Sequence, residues 1–307
     1  MRDDDDVRAG RGRRRGFDDD EPRTLRRPPR RAPETIDPEE LPETGDRWST
    51  WDQSQAGERG PQPYPDWLVT ELAAVDYELG VVKTGKEADV DLVRRAVPGT
   101  DRECLLAAKR YRASEHRMFH RDAGYLEGRR VRESRVNRAM AKRTGFGREA
   151  IAGQWAAAEF AALCRLWEVG HQFGVRIVPY PVQILGTELL LEFLGTPDGE
   201  AAPRLAQVRP DGDELADLWR QAVDGLTVLA RCGLAHGDLS PYNILVHDGQ
   251  LVLIDLPQVV DVVGNPRGPE YLARDVRNVA AWFTARGLPG VDGDELTREL
   301  LREAGMR

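Results

Sequence analysis

From Asp213 to Cys232, apolar side chains recur at Leu215, Leu218, Ala222, Leu226 and Leu229, the spacing of one helix face. The segment predicts a long amphipathic helix that must bury that face. Directly after it stands HGDLSPYNIL (236–245), a polar, proline-broken turn ahead of an apolar run. QLVLID (250–255) follows and reads as a short buried strand. A long helix feeding a polar loop and then a short buried strand predicts a helical unit with polar residues gathered at strand ends.

The rest of the chain supplies a sheet. GVVKTGKEADVDLV (80–93) alternates and is rich in valine, which predicts two strands joined by a tight turn. LLAAKRY (105–111) predicts another strand, and VRIVPYPVQILGTELLLEFLG (175–195) two or three more. Leu68, Leu72, Val75 and Leu79 have helical spacing, and Asp66 would cap that helix. Ala156, Phe160, Leu163 and Trp167 predict a second helix, with further ones over about 274–286 and 293–303. No internal repeat is present. Strands, one helix, strands and then helices predict an α+β fold of two lobes, a small β-rich N-lobe over about 66–195 and a reduced helical C-lobe over about 196–307.

Residues 1–60 alternate acidic and basic blocks (DDDD, RGRRR, DDDE, RRPPRR) with few apolar residues, and are expected to be a disordered charged tail ahead of a domain at 61–307. No apolar run approaches the roughly 18 residues needed to span a bilayer. The start, MRDDDDVRAGRGRRRGF, contains no apolar stretch of the leader kind, so a cytoplasmic protein with no membrane contact is expected. Cys104, Cys164 and Cys232 are scattered and support neither a disulfide framework nor a zinc site. The net charge of −8 disfavours bulk nucleic-acid binding but leaves local patches open. One such patch is 129–148, dominated by arginine, which reads either as a solvated loop or as a contact for RNA, a ribosomal particle or an acidic partner.

Asp238, Asn243 and Asp255 carry the chemistry. All three are oxygen-bearing and lie near the ends of short apolar strands. Hard cations such as Mg²⁺ take one or two such ligands from a protein and the rest from water and phosphate. Asn243 and Asp255 suit that role, and Asp238 is free to orient or accept a proton. Protein kinases use this arrangement: a loop Asp, an Asn five residues later, and a metal-binding Asp beyond the next strand. Alone, Asp238 and Asn243 have a plainer reading as caps of a turn around Pro241, which the loop by itself disfavours. Their order along the chain argues otherwise. Lys109 ends an apolar strand, as a phosphate-binding lysine does, and Glu159 lies on the following helix, where it can hold that lysine. The KTGKEADV turn has one glycine, Gly85; Thr84 and Lys86 can add phosphate contacts there, although an ordinary hairpin turn fits as well. His236 is expected to organise its loop rather than to act in proton transfer.

Together these residues resemble the RIO-type atypical protein kinases, nearest the type-1 branch and its bacterial relatives. The likeness runs from about residue 62 to 287. It rests on KTGKEA (83–88), Lys109, the W-A-x-x-E of Trp155–Glu159, the H-G-D-L-S-x-Y-N of His236–Asn243, the I-D-x-x-Q of Ile254–Gln258 and the D-x-x-N-V of Asp275–Val279. Ser240, Tyr242 and Gln258 separate it from aminoglycoside and choline kinases. The chain departs from the family at Asn265-Pro266, where a His-Pro pair is frequent, and at Pro241 and Pro257. The resemblance implies transfer of phosphate from ATP, with Mg²⁺ or Mn²⁺, to serine or threonine of an unidentified protein substrate and of the chain itself, Ser134 being a candidate. It also implies an alternative, an ATPase switch in ribosome or RNA assembly that passes through a phosphoaspartate at Asp255. Adenine would lie against 189–195, read by backbone near Glu192 and Leu194. A small-molecule phosphotransferase is a third reading, disfavoured by the short C-terminal region.

Overall fold

The computed structural model describes residues 41–112 and 145–306, with backbone only for 145–148. The expectations for residues 1–40, for Ser134 and for 129–144 of the arginine-rich segment lie outside these. The described chain is α+β with the two lobes of a kinase-like fold. A six-stranded antiparallel sheet has the order β1-β2-β3-β4-β6-β5, made of β1 (Arg47–Trp48), β2 (Val75–Thr84), β3 (Ala88–Ala96), β4 (Glu103–Tyr111), β5 (Pro181–Leu185) and β6 (Glu188–Glu192). Helix α1 (Gly145–Gln172) crosses between β4 and β5. The second half holds α2 (Gly212–Arg231), β7 (Leu234–Ala235), β8 (Ile244–His247), β9 (Gln250–Leu253), β10 (Val260–Asp261), α3 (Gly268–Thr284) and α4 (Gly293–Glu303). Among the described residues no helix is long and apolar enough to cross a membrane.

The long amphipathic helix forms as its pattern predicts. Asp211 caps α2 by accepting from the Glu214 amide at 3.0 Å, Asp213 and Glu214 complement the dipole in the first turn, and Arg231 complements it in the last. Leu215, Leu218, Ala222, Leu226 and Leu229 are all buried, in a core shared with Phe160, Leu163 and Leu166 of α1. A second core on the sheet's other side gathers Trp51, Leu68, Val69, Leu106, Tyr180 and Leu190.

Three expectations are corrected here. The helix expected over 66–79 is absent: Val75 opens β2, where it pairs with both Trp48 and Ala96. Leu79 is 50% exposed, so the helical spacing was coincidental. What places Val75 is pairing with distant strands, which local periodicity cannot see. Order also begins earlier than residue 60. Residues 41–60 add β1 to the sheet, bury Trp51, and tie in through the Gly60 amide, which donates to Val182 O at 2.9 Å. The helix expected at 274–286 in fact starts at Gly268, with Pro269 in its first turn.

A fully buried polar network holds this early segment. Arg95 grips Asp76 with two bonds (2.7 and 3.1 Å) and reaches Gln183 Oε1 at 3.1 Å. Gln183 Nε2 then donates to Thr50 Oγ1 and Ser54 Oγ. Removing one partner of a buried pair strands the other charge. Asp76→Ala is therefore expected to cost about 3–5 kcal/mol, and the double replacement Asp76→Leu/Arg95→Met to recover most of it. Urea denaturation of the three proteins measures both effects.

Candidate active site

The sheet sets Lys109 between Val90 of β3 and Leu189 of β6, in a central strand. On α1, Ala152, Ala156, Glu159 and Leu163 share the 4-3-4 spacing of the buried face, so Glu159 is a carboxylate inside an apolar stripe. It is held there on several sides. Glu159 Oε1 accepts from Lys109 Nζ at 2.8 Å and from the Leu256 amide at 2.9 Å, and Oε2 accepts from the Tyr111 hydroxyl. Lys109 Nζ also donates to Asp255 Oδ1 at 2.7 Å. One ammonium thus joins the sheet, α1 and the loop after β9.

These contacts shift the titrations. Burial opposes the Lys109 charge, but Glu159 and Asp255 outweigh it and hold the ammonium above its ordinary value. Burial likewise pushes Asp255 up, and Lys109, with Lys83 and His236 more weakly, brings it below the usual carboxylate range. Burial and the neighbouring Glu159 push the Tyr111 phenol far up, so it stays a donor.

Asn243 and Asp255 meet because of a hairpin. His247 pairs with Gln250 across Asp248-Gly249, both at positive φ (51° and 72°), as a two-residue turn of the primed type requires. The resulting register sets Ile244 opposite Leu253, so Asn243 faces Ile254 at the open end, where the Ile254 amide donates to Asn243 O at 3.0 Å. Asp255 follows at φ 68°, an unusual conformation for a residue with a side chain.

Helix α3 fixes the loop of Asp238. Buried Asp275 accepts from the amides of Gly237 (2.8 Å) and Leu239 (3.0 Å), Asn278 donates to Leu239 O at 2.9 Å, and Arg274 donates to Gly237 O. Gly237 sits at φ 87°, and a Cβ there would lie 2.4 Å from Gln258 O, so no other residue fits. His236, buried, donates from Nε2 to Ile254 O at 3.0 Å, the loop-organising part expected of it. The Asp238 side chain is left exposed, while its carbonyl accepts from Asn243 Nδ2 at 3.0 Å.

That last bond turns Asn243 Oδ1 away from the loop. Among the described residues neither Asn243 Oδ1 nor Asp255 Oδ2 accepts a hydrogen bond, and no cluster of three His, Cys, Asp or Glu side chains is present. Two free hard oxygens fit a divalent cation that brings water and phosphate ligands of its own. They do not fit a closed all-protein metal cage.

The remaining expected residues fall as follows. Thr84, the last residue of β2, and Lys86, on the turn that follows, are exposed; Ala88 pairs with Tyr111, so the turn stands beside the Lys109 end of β4. Gly85 is required there, because a Cβ would meet Ala88 O at 2.7 Å. The Glu192 carboxylate is engaged with the Tyr180 amide and Arg176, away from any ligand part. Leu194 is buried, and among the described residues its amide donates to no protein acceptor. Asp275, Tyr111 and Lys83 were not assigned parts from sequence. Asp275 was visible in the D-x-x-N spacing, but its partners are backbone amides more than thirty residues away.

A family model described as the RIO domain matches residues 100–296. This chain belongs to the RIO family. The RIO-type serine/threonine-protein kinase Rio1 of Haloferax volcanii is 37% identical to it over 217 residues, 71% of this chain and 66% of that protein. The serine/threonine-protein kinases RIO1 of Caenorhabditis elegans and Chaetomium thermophilum are 34% and 33% identical over 68% of this chain, but over only 38% and 40% of their own lengths. The chain thus spans less than two thirds of these relatives. The RIO domain contains every residue of the Lys109–Glu159–Asp255 triad and the whole of the 236–243 loop.

The paired carboxyl and ammonium have opposite pH windows. Asp255 has a depressed value, so its contribution to stability is present above the ordinary carboxylate range and is lost as pH falls through the depressed value, below 3.8. Lys109 has a raised value, so its contribution is present below 10.5 and is lost as pH rises through the raised value. Lys109→Met removes the main opposing charge and leaves burial set against only the weaker Lys83 and His236. In a carboxyl-carbon NMR titration the wild-type Asp255 is expected to show no transition above about pH 4, and the variant to show one shifted upward.

Proposed function

We propose that this RIO domain is a serine/threonine-protein kinase that transfers the terminal phosphoryl group of ATP, with a divalent cation, to protein hydroxyls including its own. The observation that carries this reading is the single ammonium of Lys109, bonded to both Glu159 and Asp255, beside two unengaged oxygens on Asn243 and Asp255. Kinases need the lysine–glutamate pair and the metal-binding aspartate in place together. The relatives' names point the same way.

In this reading Lys109 steadies the phosphates, and Glu159 keeps it aimed by holding it against α1. Thr84, Lys86 and the amides of their turn cover the phosphates from above, and the free Leu194 amide reads the adenine edge. Asn243 and Asp255 would hold Mg²⁺ or Mn²⁺, which would supply positive charge to neutralise what builds on the phosphates. Asp238, exposed and fixed by its backbone, accepts a hydrogen bond from the acceptor hydroxyl and takes its proton late. Positioning and charge neutralisation supply most of the acceleration. The type-1 likeness extends this reading, and a ribosomal or RNA partner would have to be tested separately.

The test uses the full chain with Mg²⁺ and γ-labelled ATP, following label in protein and in free phosphate. Acid-stable label on serine or threonine is expected, reduced about 100-fold or more in Asp238→Ala and in Asp255→Asn. Free phosphate accompanied only by base-labile protein label would replace the kinase with an ATPase acting through phosphoaspartate.

A further inference from the structure

The start of α3 presents a cluster of arginines on a chain whose net charge is −8. Arg267, Glu270, Tyr271, Arg274 and Arg277 line a depression of about 350 Å³. The guanidinium carbons of Arg267 and Arg274 lie 5.6 and 5.0 Å from the centre of the Tyr271 ring. Glu270 pairs with Arg267 at 3.0 Å, and Arg274 donates to Gly237 O. Arg277 is exposed and has no ion-pair or hydrogen-bond partner among the described residues. Three guanidinium groups against one carboxylate leave the depression cationic.

Its place matters as much as its charge. The same turns of α3 carry Asp275 and Asn278, which hold the backbone on both sides of Asp238. A polypeptide presenting a hydroxyl to Asp238 must therefore pass close to this helix. The stretch from Leu256 to Arg267 that leads into α3 is short, and Val263 stands exposed on it. Side chains of α3 itself are left to meet what flanks the acceptor.

We propose that this surface is an acceptor-recognition site, selecting serine or threonine segments flanked by Asp or Glu. The inference rests on the kinase reading above. An acidic peptide fits better than RNA. Tyr271 is the one aromatic residue in the depression, and two guanidinium groups already occupy its surroundings, whereas single-stranded nucleic acid needs open rings for stacking. Glu270 within the cluster opposes a continuous run of phosphates but leaves room for spaced carboxylates. Planar guanidinium groups bind carboxylates with two parallel bonds. The chain's net charge of −8 also opposes bulk polyanion binding.

The experiment compares a serine peptide flanked by Asp with the same peptide carrying Asn, using full-length protein and the double variant Arg267→Gln/Arg277→Gln. Neither residue holds the catalytic loop. Wild type is expected to favour the Asp peptide about three- to tenfold in kcat/KM, mainly through KM, and less so at high salt. The variant should lose that preference while keeping autophosphorylation and turnover of the Asn peptide. Anisotropy titration of both labelled peptides gives the same comparison without turnover, so failure of the kinase reading would appear as lost transfer with the binding preference intact. Equal binding of the two peptides by wild type, or an unchanged preference in the variant, would overturn the proposal. So would a labelled RNA oligonucleotide whose binding, unlike that of the Asp peptide, depends on Arg267 and Arg277.

Discussion

The position of one ammonium organises this molecule. Burying a lysine costs several kcal/mol unless carboxylates surround it, and those carboxylates cannot be buried without it either. Lys109 comes from the middle of the sheet, Glu159 from the inward face of α1, and Asp255 from the loop beyond β9. The buried Lys109 and Glu159 charges are tolerable only as a pair, and the half-exposed Asp255 adds a second partner for the ammonium. The sheet, the crossing helix and the loop are thus coupled by electrostatics as well as by packing. Tyr111 and the Leu256 amide complete the coordination of Glu159, so its carboxylate has little freedom to turn away.

The opposite wall of the site depends on backbone geometry. The Asp248-Gly249 turn fixes the register of β8 and β9, and that register alone brings residues twelve apart, Asn243 and Asp255, to one end of a hairpin. Asp238 is set by a different device. Its neighbours' amides and carbonyls are bonded to Asp275, Asn278 and Arg274, leaving its side chain exposed over a rigid support. A carboxylate whose place is set by backbone bonds can be exchanged without loss of the loop, so Asp238→Ala is expected to leave the fold intact.

Much of this was legible in the sequence, for reasons that differ by element. The faces of α1 and α2 could be read because burial follows a 3.6-residue period, and the meeting of Lys109, Glu159 and Asp255 because their types stand in a particular order along the chain. The stretch from Asp66 to Leu79 misled because four apolar residues matched a helix while Val75 and Asp76 were committed to distant strands. Residues 41–60 were hidden by composition. Their order comes from one buried tryptophan and from hydroxyls that meet Gln183 only in three dimensions. The Asp-Gly pair at 248–249 was a plain hairpin signal that went unread. The Glu192 side chain is engaged with Arg176 and the Tyr180 amide, contacts that only the folded sheet brings together.

The segment after Asp255 shows how a shortened kinase fold keeps its site assembled. The Leu256 amide is tied to Glu159, the Val262 amide to Gly233 O, and the Val263 and Gly264 amides to the Asp261 carboxylate. These are bonds of the protein to itself, made over a stretch too short to fold away from the cleft. In kinases with a long loop at this position, order is supplied from outside by a phosphate paired with arginines. Here the local bonds supply it, so the Lys109–Glu159 pair and Asp255 come into line as a consequence of folding.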